Sequence, residues 1–187
     1  MKSAWLYAPL LGLALASTAP ALELSKVDPA RSSITFVVHE MGVAVDGSFR
    51  RFSAQFRFDP AKPAAGEASI DLDVASIDAG SAEANDEVAG KAWFDTRAFP
   101  QARFVATGFR ALGGNRYEAN GRISIKGRTQ EVSAPFTLTQ QGRDTAFDGS
   151  FILKRADFAI GEGEWADFGT VANEVQIRFH FLAAAGK

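Results

Sequence analysis

The chain has 187 residues, 47% hydrophobic and 22% charged, an ordinary globular composition with room for one domain. A formal net charge of −2 offers no basic surface for nucleic acid or anionic lipid. There is no cysteine, which excludes disulfides, thiolate metal sites and a lipidated N-terminal Cys.

The first element is a leader. Lys2 precedes the apolar run Ala4–Ala16, and Ala19-Pro20-Ala21 is a small-x-small cleavage site. The run is short for a bilayer span. Cleavage is expected after Ala21, with Ala16 as the alternative, so residues 1–21 form a signal peptide and 22–187 one exported domain. No integral membrane span remains after cleavage.

From there the chain alternates in eight runs. SSITFVVH (32–39) sets Ile34, Phe36 and Val38 on one side, and RFSAQFRFD (51–59) sets Phe52, Ala54, Phe56 and Phe58 against Arg51, Ser53, Gln55, Arg57 and Asp59. EASIDLDV (67–74) gives Ala68, Ile70, Leu72 and Val74. Residues 81–94, SAEANDEVAGKAWF, read as a helix of two or three turns with Ser81, Asn85 or Asp86 as cap. ARFVATGF (102–109) groups Phe104, Ala106 and Gly108; RYEANGRISIK (116–126) groups Tyr117, Ala119, Gly121, Ile123 and Ile125. EVSAPFTLT (131–139), AFDGSFILK (146–154) and EVQIRFHF (174–181) continue the pattern with Ala134 and Phe136, Phe147 and Phe151, Ile177 and Phe179. Turn residues separate the runs at Asp59, Leu112, Ile125 and Gln140.

Period-two alternation of this length implies an antiparallel sheet with one dry and one wet face. Eight such strands close naturally into a barrel that either fills with side chains or encloses a small ligand. The fold class expected is therefore all-β, an eight-stranded antiparallel barrel with one short helical segment. Small inward residues (Ala54, Ala68, Ala106, Gly108, Ala119, Gly121, Ala134, Gly149) favour an open interior. The competing arrangement has those small residues making room for facing aromatics, and 16 Phe could fill much of the space.

Catalytic patterns are scarce. GEGEWA (161–166) matches G-x-G-x-x-A but lacks the βαβ context, and Glu162 and Glu164 would repel a pyrophosphate. It reads as a loop that packs Trp165 over a barrel end. His39 and His180 take wet-face parity, and no zinc spacing occurs. Asp71 and Asp73 share the wet face, where solubility accounts for them. An outer-membrane barrel shares the leader and strand number but demands the opposite polarity, and Arg57, Asp59, Asp71, Asp73, Arg122 and Lys126 are too bulky and charged for its lumen.

Several segments resemble the YceI-like periplasmic proteins: VDPARSSITFVVHEMG…DGSFRRFSAQFRFDP, ASIDLDVASIDAG, DEVAGKAWFDTRAFPQARFVATGF, GRISIKGRTQEVSAPF and GEGEWADFGTVANEVQIRF. They cover Leu24 to Phe181 in order. The resemblance implies a lipocalin-like barrel in the periplasm that binds a long apolar chain, a polyisoprenoid or fatty amide, without catalysis. What carries over is the inward-facing set: Phe36, Val38, Phe52, Phe56, Phe58, Ile70, Leu72, Phe104, Ile123, Ala134, Phe136, Phe151, Ile177 and Phe179, with Trp93 and Phe94 near the helix. Asn85-Asp86 stands where the family often has Arg-Asp, Trp93-Phe94 replaces two aromatics, and Arg31 replaces a common His.

The function expected is thus a lipid carrier or sequestering protein, with an enzyme acting on a lipid or quinone at the barrel mouth (Asp86, Glu87 or His39) as the alternative. No cofactor is expected beyond a bound isoprenoid lipid or quinone. The partner is a long-chain apolar ligand, not nucleic acid, and a homodimer is left open.

Overall fold

The computed structural model describes residues 24–185; the expected signal peptide, Met1–Ala21, lies outside them. The chain forms β1 (Leu24–Val27), β2 (Ser33–Glu40), β3 (Val43–Phe49), β4 (Phe52–Arg57), β5 (Glu67–Asp73), β6 (Ile77–Asp78), α1 (Ala82–Ala89), β7 (Gln101–Gly113), β8 (Arg116–Ile125), β9 (Arg128–Gln141), β10 (Asp144–Lys154) and β11 (Glu174–Ala185). The strands pair antiparallel in the order β4-β5-β7-β8-β9-β10-β11-β2-β3-β6, with β1 on β11. This is a curled, lipocalin-like antiparallel sheet with one helix.

Among the described residues, eleven strands replace the expected eight. β3 follows β2 through the two-residue turn Met41–Gly42, with φ of +47° and +82°. Such turns favour Asn-Gly or Asp-Gly, so Met-Gly does not announce one. β1 and β6 span four and two residues, too few for alternation to register. Yet β1 closes the barrel. Leu24 exchanges backbone hydrogen bonds of 2.9 and 3.2 Å with Phe58, just beyond β4, while β1 pairs with β11 on its other side. At the opposite corner, Arg51 C=O accepts from Asp73 N–H and Ser76 C=O from Arg50 N–H.

The dry and wet faces fall as alternation requires, with one correction. A β-bulge between Ala106 and Gly108 shifts the β7 register, so Gly108 sits opposite Asn120 and Phe109 opposite Ala119. Phe109, not Gly108, therefore joins the inner cluster. On the outer face Arg57 pairs with Glu67, Arg103 with Asp71 and Arg110 with Glu118, each across adjacent strands. That charged exterior is the reverse of a membrane barrel.

The helix is shorter than the expected 81–94 segment. Ser81 Oγ accepts from Ala84 N–H at 3.1 Å, and Gly90 ends the helix after Ala89. Asn85 does not cap it; its Oδ1 accepts from Ala79 N–H at 2.6 Å and pins the preceding loop. No described helix is long and apolar enough to cross a membrane.

Candidate functional site

One end of the barrel is filled. Phe58, Phe109, Tyr117, Phe136 and Phe147 meet edge-on, tilted or stacked, with ring centroids 5.1 to 6.2 Å apart. Phe58 is only 1% exposed. Tyr117 Oη donates to Pro60 C=O, tying this aromatic floor to the loop below it.

Above the floor the barrel is hollow. An apolar cavity of about 590 Å³ lies there, within the usual range for small-molecule sites. Its walls are Phe36, Val38, Ile70, Leu72, Phe104, Ile123, Ala134, Phe151, Ile177 and Phe179; Phe56, Phe58 and Phe136 face it from the floor, Trp93 and Phe94 from above. Phe52 is the exception among the inward set: it does not line the cavity, and its ring meets Phe181 edge-on at 5.7 Å. Inward-facing Ile70, Leu72, Phe104, Ile123, Phe151, Ile177 and Phe179 are only partly buried, because their inner surface borders the cavity rather than another side chain.

The small inward residues act less directly than the sequence suggested. A Cβ at Gly121 would collide with the Phe104 ring, one at Gly149 with Phe179, and one at Gly47 with Phe36. These glycines let phenylalanine rings lie flat along the sheet, which clears the centre. Ala119 and Ala134 face each other across β8 and β9 and border the cavity themselves.

The upper end is covered by α1, the turn that follows it, and the segment between β10 and β11. Trp93 and Trp165 pack at 5.6 Å, so Trp165 does lie over a barrel end. The 161–166 stretch runs into a short 3-10 turn, Gly163–Ala166, not a phosphate loop. The cavity reaches solvent beside α1, where Glu40, Glu83, Glu87, Val45 and Val88 line it. His39 and Asp86 are exposed and do not line it. His180 lies on the outer face with Nδ1 2.6 Å from Asp148 Oδ1. Among the described residues no group of three or more His, Cys, Asp or Glu is placed to hold a metal.

The YceI-like domain model matches residues 26–183. The chain belongs to this family. Among solved structures, Burkholderia cenocepacia BcnA is 46% identical, with a TM-score of 0.83 over 85% of this chain and 100% of that one. A polyisoprenoid binding domain from Saccharophagus degradans, implicated in plant cell wall breakdown, is 14% identical with a TM-score of 0.67 over 88% of this chain and 99% of that one. An Azotobacter vinelandii UPF0312 protein is 28% identical over 77% of each chain.

One residue of this YceI-like site is not among those expected from the sequence. Arg155 is 3% exposed and donates all five N–H groups to backbone carbonyls: Nε to Ala172, Nη1 to Ile160 and Gly161, Nη2 to Trp165 and Val171, at 2.7 to 3.1 Å. Its guanidinium also stands 5.7 Å from the Trp93 ring and 5.2 Å from Phe168. Burial pushes its pKa below the usual arginine value, and among the described residues no carboxylate offsets that. The signal was available: Arg155 has the parity of Phe151 and Leu153, a charge on the dry side.

Proposed function

We propose that the protein carries or sequesters a long-chain apolar ligand, an isoprenoid of polyprenyl or quinone type or a fatty amide, in the periplasm after residues 1–21 are removed. The observation that carries this reading is the apolar cavity of about 590 Å³ between aromatic floor and capped upper end. A well-packed core does not leave such a space without cost, since unfilled volume forfeits dispersion contacts. The Saccharophagus degradans domain of the same fold is described as polyisoprenoid binding, which supports the ligand class. The leader pattern supports export.

Burial of each five-carbon unit contributes up to roughly 4 kcal/mol, at about 0.8 per CH₂. Ordering the chain offsets much of that. Affinity should therefore rise stepwise with prenyl length. Titration of a homologous series, followed by calorimetry, checks this; equal affinity across lengths would contradict the cavity as the site. Native mass spectrometry and extraction of the exported protein should show a co-purified apolar compound that the protein leaves chemically unchanged. Conversion of that compound would favour the enzyme reading instead.

Ala134 is 4% exposed and borders the cavity. An Ala134→Trp side chain would occupy ligand space, and binding should weaken by at least about tenfold, a loss of about 1.4 kcal/mol. Unchanged affinity in a folded Ala134→Trp protein would rule out this part of the cavity.

A further inference from the structure

Two indole donors at the upper end of the cavity have no acceptor. Trp93 and Trp165 both line it, and their indole Nε1–H groups are shielded from water with no hydrogen-bond partner among the described residues. Indole nitrogen can only donate. A buried donor left unpaired costs about 1–3 kcal/mol, so two at one place call for an explanation.

The neighbouring groups do not supply one. Arg155 also borders this end, but it too is a donor, and its five N–H groups are taken by carbonyls. The Trp165 carbonyl is itself occupied by Arg155 Nη2. Among the described residues no carboxylate pairs with this guanidinium, so its charge favours a partial negative charge placed beside it. A full anion would find no free N–H on Arg155 and would lose its hydration on entry.

We propose that Trp93 and Trp165 form a hydrogen-bonding subsite that takes a neutral acceptor oxygen, such as a carbonyl, on a ligand whose apolar chain fills the cavity toward the aromatic floor. This rests on the apolar-ligand reading above. The pair would set the direction of the ligand, head at the cap and tail at the floor.

The test compares two ligands of equal carbon count, a linear isoprenoid methyl ketone and the corresponding hydrocarbon, against the exported ¹⁵N-labelled protein. Trp93→Phe and Trp165→Phe variants assign the two indole N–H resonances. The ketone should move at least one of them downfield, the signature of a new acceptor. It should also bind about tenfold more tightly than the hydrocarbon, the equivalent of about 1.4 kcal/mol. In the double Trp→Phe variant that ratio should fall toward one. If both ligands bind equally and shift the indole resonances alike, the subsite is overturned while the cavity reading stands. If neither ligand perturbs the resonances of Ile123 or Ile177, the cavity reading fails and the subsite falls with it.

Discussion

Arg155 shows how a single side chain can organise the cap. The segment from Ala159 to Asn173 has little regular structure, and a buried loop must find partners for its backbone. Five of its carbonyls find them on one planar guanidinium. Lysine has three donors on a flexible stem and cannot serve five acceptors. Arg155→Lys should therefore lower stability by about 2–4 kcal/mol, from carbonyls left unsatisfied. Urea unfolding checks this, and the midpoint should move with little change in slope. Parity alone places Arg155 inside. Its partners were not legible, because they lie at irregular intervals between Ile160 and Ala172 and no periodicity marks them. The orphan donors were equally hidden: the sequence shows Trp93 and Trp165 but not that their N–H groups lack acceptors.

At the scale of elements, legibility followed length. β8, β9, β10 and β11 carry ten residues or more, and their alternation fixes both type and inward face. The Lys126–Gly127 turn, with φ of +48° and +73°, was visible through its glycine. The β7 bulge is marked in the sequence only by Gly108 in a strand interior, and strict alternation runs straight across it. The Met41–Gly42 turn is the clearest mismatch of residue and conformation. Met41 is 80% exposed and sits at φ of +47°, where a long side chain is disfavoured and asparagine is tolerated. Met41→Asn should stabilise the β2–β3 hairpin by about 0.5–1 kcal/mol. A higher melting temperature checks it, and any loss would mean that the Met41 side chain has a role of its own.

The whole molecule is a shell around a space. Its inner residues are apolar and only part-covered by one another, so a guest that binds the folded state alone raises stability by linkage. At a free concentration a hundred times Kd the gain is about 2.7 kcal/mol. For a domain of this size each kcal/mol moves Tm by about 2–4 °C. Stripping a co-purified lipid should therefore lower Tm by about 5–10 °C, and adding it back should restore the value in a calorimetric scan. That the barrel is hollow could be argued from the small inward residues, but for a partly wrong reason. Gly121 and Gly149 accommodate Phe104 and Phe179, and the space arises because those rings lie along the wall. Cross-strand register decides this, and register is not written in a single strand.

The floor built from Phe58, Tyr117, Phe136 and Phe147 has a consequence for selectivity. A pipe open at both ends would accept a chain of any length and grip it equally well. A blind shaft measures its guest. A tail that stops short leaves the bottom unfilled, and one that is too long trails past Glu83 and Glu87 into water. Added carbons then gain nothing, so affinity climbs with tail length to the depth of the shaft and levels off beyond it.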